Sequence, residues 1–118
     1  MQPVSRALYF QMKTKHHFTF ATKESDYALL KETLAEKLSI ELTDHESSWW
    51  GQYALHENQT SLSVKIYPNF VDGEGYHEKE KKDYPYLLEI CRNNNPQQVN
   101  EIISNLPINF ELVRHNEI

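Results

Sequence analysis

Six histidines and one cysteine are the residues in this 118-residue chain whose types suit acid–base work, nucleophilic attack or metal binding. Their spacing argues against most of that chemistry. His16 and His17 are adjacent in an alternating stretch, and neighbouring strand side chains point to opposite faces, so one metal cannot take both. His45 and His115 lie in or beside polar segments, and His56 closes a strand. His77 stands near Asp72, Glu74 and Glu78, a mixed oxygen and nitrogen set able to hold a divalent ion. The stretch lacks the ligand spacing and glycine placement of a calcium loop, so no metal and no cofactor are expected. Two imidazoles acting on RNA are the strongest catalytic alternative, with His56 and His77 as the pair to test. Such a ribonuclease must also hold a phosphate, and Lys13, Lys15 and Lys65 are few and scattered. No serine elbow, phosphate loop, dinucleotide fingerprint or zinc motif is present. Cys91, with Leu88 and Ile90 as apolar neighbours, reads as a small apolar core residue. No enzyme is expected.

The charge points to a protein partner. Net charge is −5, and all seventeen acidic residues lie at or after Glu24 while four of the twelve basic ones precede it. A negative field repels phosphate backbones and steers basic proteins in, which excludes nucleic acid as a direct partner. The densest stretch is VDGEGYHEKEKKDYP, residues 71–85, with five carboxylates and three lysines. It lies in an 18-residue connection from Pro68 to Pro85. Connections beyond about 12–15 residues are usually functional or disordered, so it reads as a recognition loop bent at Gly73 and Gly75. A lone cysteine, no apolar run of membrane length and no signal-peptide order place the chain in the cytoplasm, with no membrane partner.

These residues need elements to position them. HFTFA (17–21) alternates as a half-buried strand, and Thr22 or Ser25 can cap a following helix whose stripe is Tyr27, Leu30, Leu34 and Leu38. TDHESS (43–48) reads as loop and WWGQYALHE (49–57) as a strand. HENQ (56–59) turns into TSLSVKIY (60–67), where Leu62, Val64 and Ile66 face one way. YLLEICR (86–92) is apolar enough to be central. Asn95 caps and Pro96 opens a second helix with Val99, Ile102, Ile103 and Leu106 inward, and INFELVR (108–114) is the last strand. The expected fold is α+β: a mostly antiparallel sheet of about five strands with both helices on one face, in the order β-α-β-β-β-α-β. Residues 12–118 form one domain of a size that buries roughly two thirds of its unfolded surface. Residues 1–11 carry LYFQ ahead of Met12, the pattern of a protease site used to remove tags, though Arg6 stands where that pattern has an acid. No function is placed there.

In a strand Trp49, Gly51 and Tyr53 share one face and Trp50, Gln52 and Ala54 the other, so both tryptophans cannot be buried against one core, and one indole should be exposed, with Tyr67 also on the outer surface. Rigid aromatics among carboxylates make interface hot spots. The run SSWWGQYAL, a strand ending IYPNF, a charged loop holding GYHE and ending DYPYLLEI, then a short helix and FELVR, resembles small bacterial immunity proteins that neutralise polymorphic toxins, including those of contact-dependent growth inhibition. It spans residues 47–114. The resemblance implies an acidic, cytoplasmic, noncatalytic antitoxin that covers the active site of a cognate toxin domain, often a basic nuclease. From the surface chemistry itself, the expected partner-binding residues are Trp49, Trp50, Tyr53, Tyr67, Asp72, Glu74, Tyr76, Glu78, Glu80 and Asp83, with Asp44 and Glu46 as additional carboxylates. The chain is expected as a monomer forming a 1:1 heterodimer. An acidic secretion chaperone is the alternative, although such chaperones begin with a helix and are usually dimers.

Overall fold

A computed structural model describes residues 16–57, 62–92 and 96–117 of the chain. The elements run β1 (His16–Thr22), α1 (Tyr27–Leu38), β2 (Thr43–Ser47), β3 (Gly51–Glu57), β4 (Leu62–Pro68), β5 (Phe70–Val71), β6 (Gly75–Tyr76), a 3-10 turn (Lys79–Lys81), β7 (Tyr86–Arg92), α2 (Pro96–Ser104) and β8 (Glu111–Glu117). Six strands form one antiparallel sheet in the order β2-β3-β4-β7-β1-β8, and β5 pairs with β6 as a separate hairpin. The α+β class and both helices are as expected, and β7 lies centrally between β4 and β1.

Strand parity builds the core. Phe18 and Phe20 of β1, Val64 and Ile66 of β4, and Leu88 and Ile90 of β7 face one side, where they meet Leu30 and Leu34 of α1 and Val99 and Ile103 of α2. Both helices therefore cover the same face. Helix α1 starts at Asp26, whose Oδ1 accepts from the Leu29 amide at 3.1 Å, and ends at Ser39 in the left-handed region. Asp26, not Thr22 or Ser25, is the cap. Thr22 instead donates to the Asn109 carbonyl, tying the end of β1 to the approach to β8.

Three further expectations change. TDHES is strand β2, not loop: it is an edge strand whose side chains are nearly all exposed, so it needs no apolar alternation. The last strand begins at Glu111, because Ile108 is drawn into the core and Phe110 packs partly against it before pairing starts. Cys91 shares parity with Glu89 and Leu87, which places it on the face away from the helices, half-buried and not in the core. Of the turn expected at 56–59, His56 and Glu57 belong to β3; residues 58–59, the cap at Asn95 and the tag-like segment 1–11 lie outside the described residues.

Candidate functional site

The face away from the helices carries the aromatic and charged residues. Its floor is Ala21, Tyr67 and Leu87, with Trp50, Tyr53, Tyr84 and Val113 packed against them. Residues 69–85 fold over one half of this face. The other half is an open cleft of about 290 Å³ lined by His17, Tyr53, Ser63, Lys65, Glu89 and Cys91, among others.

Asn69 orders the covering segment. Its side chain is fully buried; Nδ2 faces the carbonyls of Lys81 (2.8 Å), Tyr84 (3.1 Å) and Glu78 (3.4 Å), and Oδ1 accepts from the Glu78 amide at 2.8 Å. Its backbone joins Pro85 and His77, at 2.9 and 2.8 Å. One amide side chain thus satisfies polar groups that an irregular buried loop would otherwise leave unpaired. Ion pairs anchor the outer edge: Glu78 to Arg114, and Lys81 to Glu111 at 3.2 Å. Glu111 also accepts from Tyr84, and that bond, with Lys81, holds its carboxyl below the usual range.

The segment's front is the β5–β6 hairpin. Gly73 and Gly75 both take positive φ, and the Glu74 amide donates to the Val71 carbonyl at 3.0 Å. Val71 is buried while Phe70 points out, 51% exposed, with its ring 5.1 Å from that of Tyr76. Asp72 and Glu74 are exposed at the tip, and Glu80 and Asp83 lie exposed farther along.

The tryptophans separate at a turn. Gly51 has φ +72°, and a Cβ there would lie 3.1 Å from Pro68 Cγ, so the chain turns where only glycine fits comfortably. The Trp50 amide donates to Ser47 Oγ at 2.9 Å, closing the turn. Strand alternation starts at Gly51, so Trp50 falls on the Tyr53 side instead of the opposite one. Its ring lies 4.9 Å from Tyr67 and 5.3 Å from His77, and the Lys65 ammonium sits 3.4 Å from its centroid. Trp49 turns outward, 52% exposed, edge-on to both Trp50 and His77.

Placing the expected binding residues sorts them. Trp49, Asp72, Glu74, Glu80 and Asp83 are exposed; Trp50, Tyr53 and Tyr76 are half-buried. Tyr67 is not on the outer surface. Trp50 and His77 cover it, its hydroxyl donates to Glu89 at 2.8 Å, and burial followed by that carboxylate pushes its pKa up. Glu78 is largely enclosed, with 16% of its side chain exposed, and is committed to Arg114. Both therefore hold the surface together. Asp44 is likewise engaged, accepting from Lys31 at 2.7 Å and Tyr27 at 2.8 Å, which holds its carboxyl low. Phe70, Asn69, Lys65 and Glu89 were not singled out, apart from the scarcity of lysines, because no periodic pattern marks a loop aromatic or a long-range pairing.

Apart from His16 and His115, which meet, the histidines are dispersed. His56 is on the helix side, by parity with Ala54, and its Nδ1 meets the Glu41 carbonyl at 3.1 Å, whereas His77 packs on Tyr67 on the opposite side. His16 contacts His115 at 3.0 Å, and His45 stacks on Tyr53. His17 lies 3.7 Å from Glu89, as does Lys65. Among the described residues no three histidine, cysteine or acidic side chains gather as a metal site, and no helix is long and apolar enough to cross a membrane.

Comparison of the chain with family models, curated proteins and solved structures gave no match.

Proposed function

We propose that this chain is a noncatalytic inhibitor that binds a basic toxin domain and covers its active site, in the manner of the bacterial immunity proteins it resembles. The carrying observation is the rim formed by Trp49, Phe70 and Tyr76 beside Asp72 and Glu74 on a segment pinned by Asn69. Aromatic area held in place before binding supplies affinity with little ordering cost. Surrounding carboxylates supply rate and orientation, standing where a nuclease would hold phosphates. Trp50, Tyr53, Tyr67 and Glu78 act underneath, as supports for that rim.

The placement of His56 and His77 on opposite sides of the sheet supports a binder over a ribonuclease that uses that pair. Two edge strands bearing charge, with Asp44 and Glu46 on β2 and Glu111, Arg114 and Glu117 on β8, resist edge-to-edge association and support a monomer that pairs 1:1 with its toxin. Its place of action is the cytoplasm, where such a toxin would strike.

Charge reversal tests the reading. Replacing Asp72, Glu74, Glu80 and Asp83 with lysine should slow association with the toxin domain about tenfold or more at low salt and flatten its salt dependence. Glu78 is left intact because its loss would also release Arg114. Unchanged association kinetics would remove the acidic segment from the mechanism.

A further inference from the structure

His77 occupies an unusual position for a titratable group. Its ring packs against those of Trp49, Trp50 and Tyr67, with centroid distances of 5.1, 5.3 and 5.3 Å. The Trp49 backbone lies by the imidazole and favours its protonated form, while Nε2 is buried with no hydrogen-bond partner. The backbone amide of the same residue donates to the Asn69 carbonyl, at the base of the β5–β6 hairpin. One residue therefore joins three things: the Trp49–Trp50 turn, the floor of the sheet and the exposed rim.

We propose that His77 is a proton-sensitive latch, which when neutral holds Trp49 and the β5–β6 hairpin in the binding arrangement and when protonated releases them. The proposal concerns the rim described under the proposed function and adds its regulation. A proton added at Nε2 would meet rings in place of an acceptor or water, which is costly for a buried charge. The Trp50 face, the natural seat for a cation, already carries the Lys65 ammonium. The charged groups facing His77 from the packed elements are Lys65 on β4, Glu89 on β7 and Glu74 on the hairpin; Lys65 opposes protonation, whereas Glu89 and Glu74 favour it. Both Lys65 and His17 lie 3.7 Å from Glu89, which tempers its pull. Burial outweighs the attraction, and the His77 pKa falls below that of a free imidazole.

Release is local because the other half of the segment is held, beyond the Glu78–Arg114 and Lys81–Glu111 ion pairs, by bonds that do not titrate. The Lys81 amide to Glu78 and the Tyr84 amide to Lys81 are backbone bonds, and Asn69 Nδ2 grips the same turn. Acid should therefore loosen residues 49–51 and 70–77 and leave 78–85 in place.

The test uses the free protein, so it stands or falls separately from toxin binding. Trp49 and Trp50 are the two tryptophans of the chain and both touch His77, making intrinsic fluorescence a direct reporter. Between about pH 7.5 and 4.5, fluorescence should change with a midpoint below about 6.5, the free-histidine value, and the step should vanish in His77→Gln. Over the same range, amide protection at Glu74 and His77, corrected for intrinsic exchange, should fall by up to about tenfold per pH unit while Lys81 and Tyr84 stay protected. If His77→Gln does not fold, an NMR titration of the His77 ring in the unaltered protein replaces it. A ring that titrates at or above the free-histidine value overturns the latch. So does the same fluorescence step in His77→Gln, the absence of any step, or loss of far-ultraviolet circular dichroism in parallel with it.

Discussion

Asn69 Nδ2 faces three carbonyls from a fully buried position, and Oδ1 takes the Glu78 amide. Asn69→Asp keeps the acceptor and removes the donors, leaving a buried carboxylate against carbonyl oxygens. It should lower stability by about 2–3 kcal/mol, read as a shifted urea midpoint with unchanged slope. Asn69→Ser, which retains one donor, should cost less. Lys31 and Tyr27 hold Asp44 below the usual carboxylate range, Lys31 first. A depressed carboxylate binds protons less readily folded than unfolded. Its stabilisation is therefore complete above about pH 4 and is lost as pH falls through the lower folded value. Lys31→Met should flatten that acid limb in urea midpoints measured from about pH 5 to 2.5, without moving any step near neutrality.

At the scale of elements, Gly51 and Gly73 offer a controlled comparison. Both have positive φ, +72° and +87°, but a Cβ at Gly51 meets Pro68 Cγ at 3.1 Å whereas one at Gly73 meets nothing within 4 Å. Gly73→Ala should cost about 1–2 kcal/mol from backbone strain alone, and Gly51→Ala should cost more and raise Trp50 exposure, measured by thermal unfolding and fluorescence. The same elements show what is legible in a sequence. The α1 stripe at Leu30 and Leu34 and the Val64–Ile66 alternation were readable because burial on one face imposes a period on neighbouring residues. Strand β2 was not, since an exposed edge imposes none. The alternation that separated Trp49 from Trp50 foretold an exposed indole, yet assigned Trp50 to the wrong side because Gly51 resets the register. Charge marked residues 71–85 as a surface segment, but its order comes from Asn69 reaching nine to fifteen residues onward, a pairing without local signature.

Across the whole molecule, one face of the sheet is sealed by both helices and the other is only half covered, by a segment carrying five of the seventeen acidic residues. The proposed recognition surface lies on and beside that covering segment, where Trp49 and Phe70 are exposed. Multi-angle light scattering should give a monomer mass for the free chain; a stable dimer would instead favour the chaperone class. The central claim is that this aromatic and acidic rim occupies a basic toxin cleft. Its most direct measurement, with a toxin gene located beside its own, is surface plasmon resonance of the chain against that toxin's C-terminal domain, with Trp49→Ala and Phe70→Ala in parallel. The account predicts a 1:1 complex whose affinity drops at least about 30-fold in one of these variants, equivalent to about 2 kcal/mol, while the fold is retained. Wild-type affinity in both variants, or no complex with that domain, would contradict it.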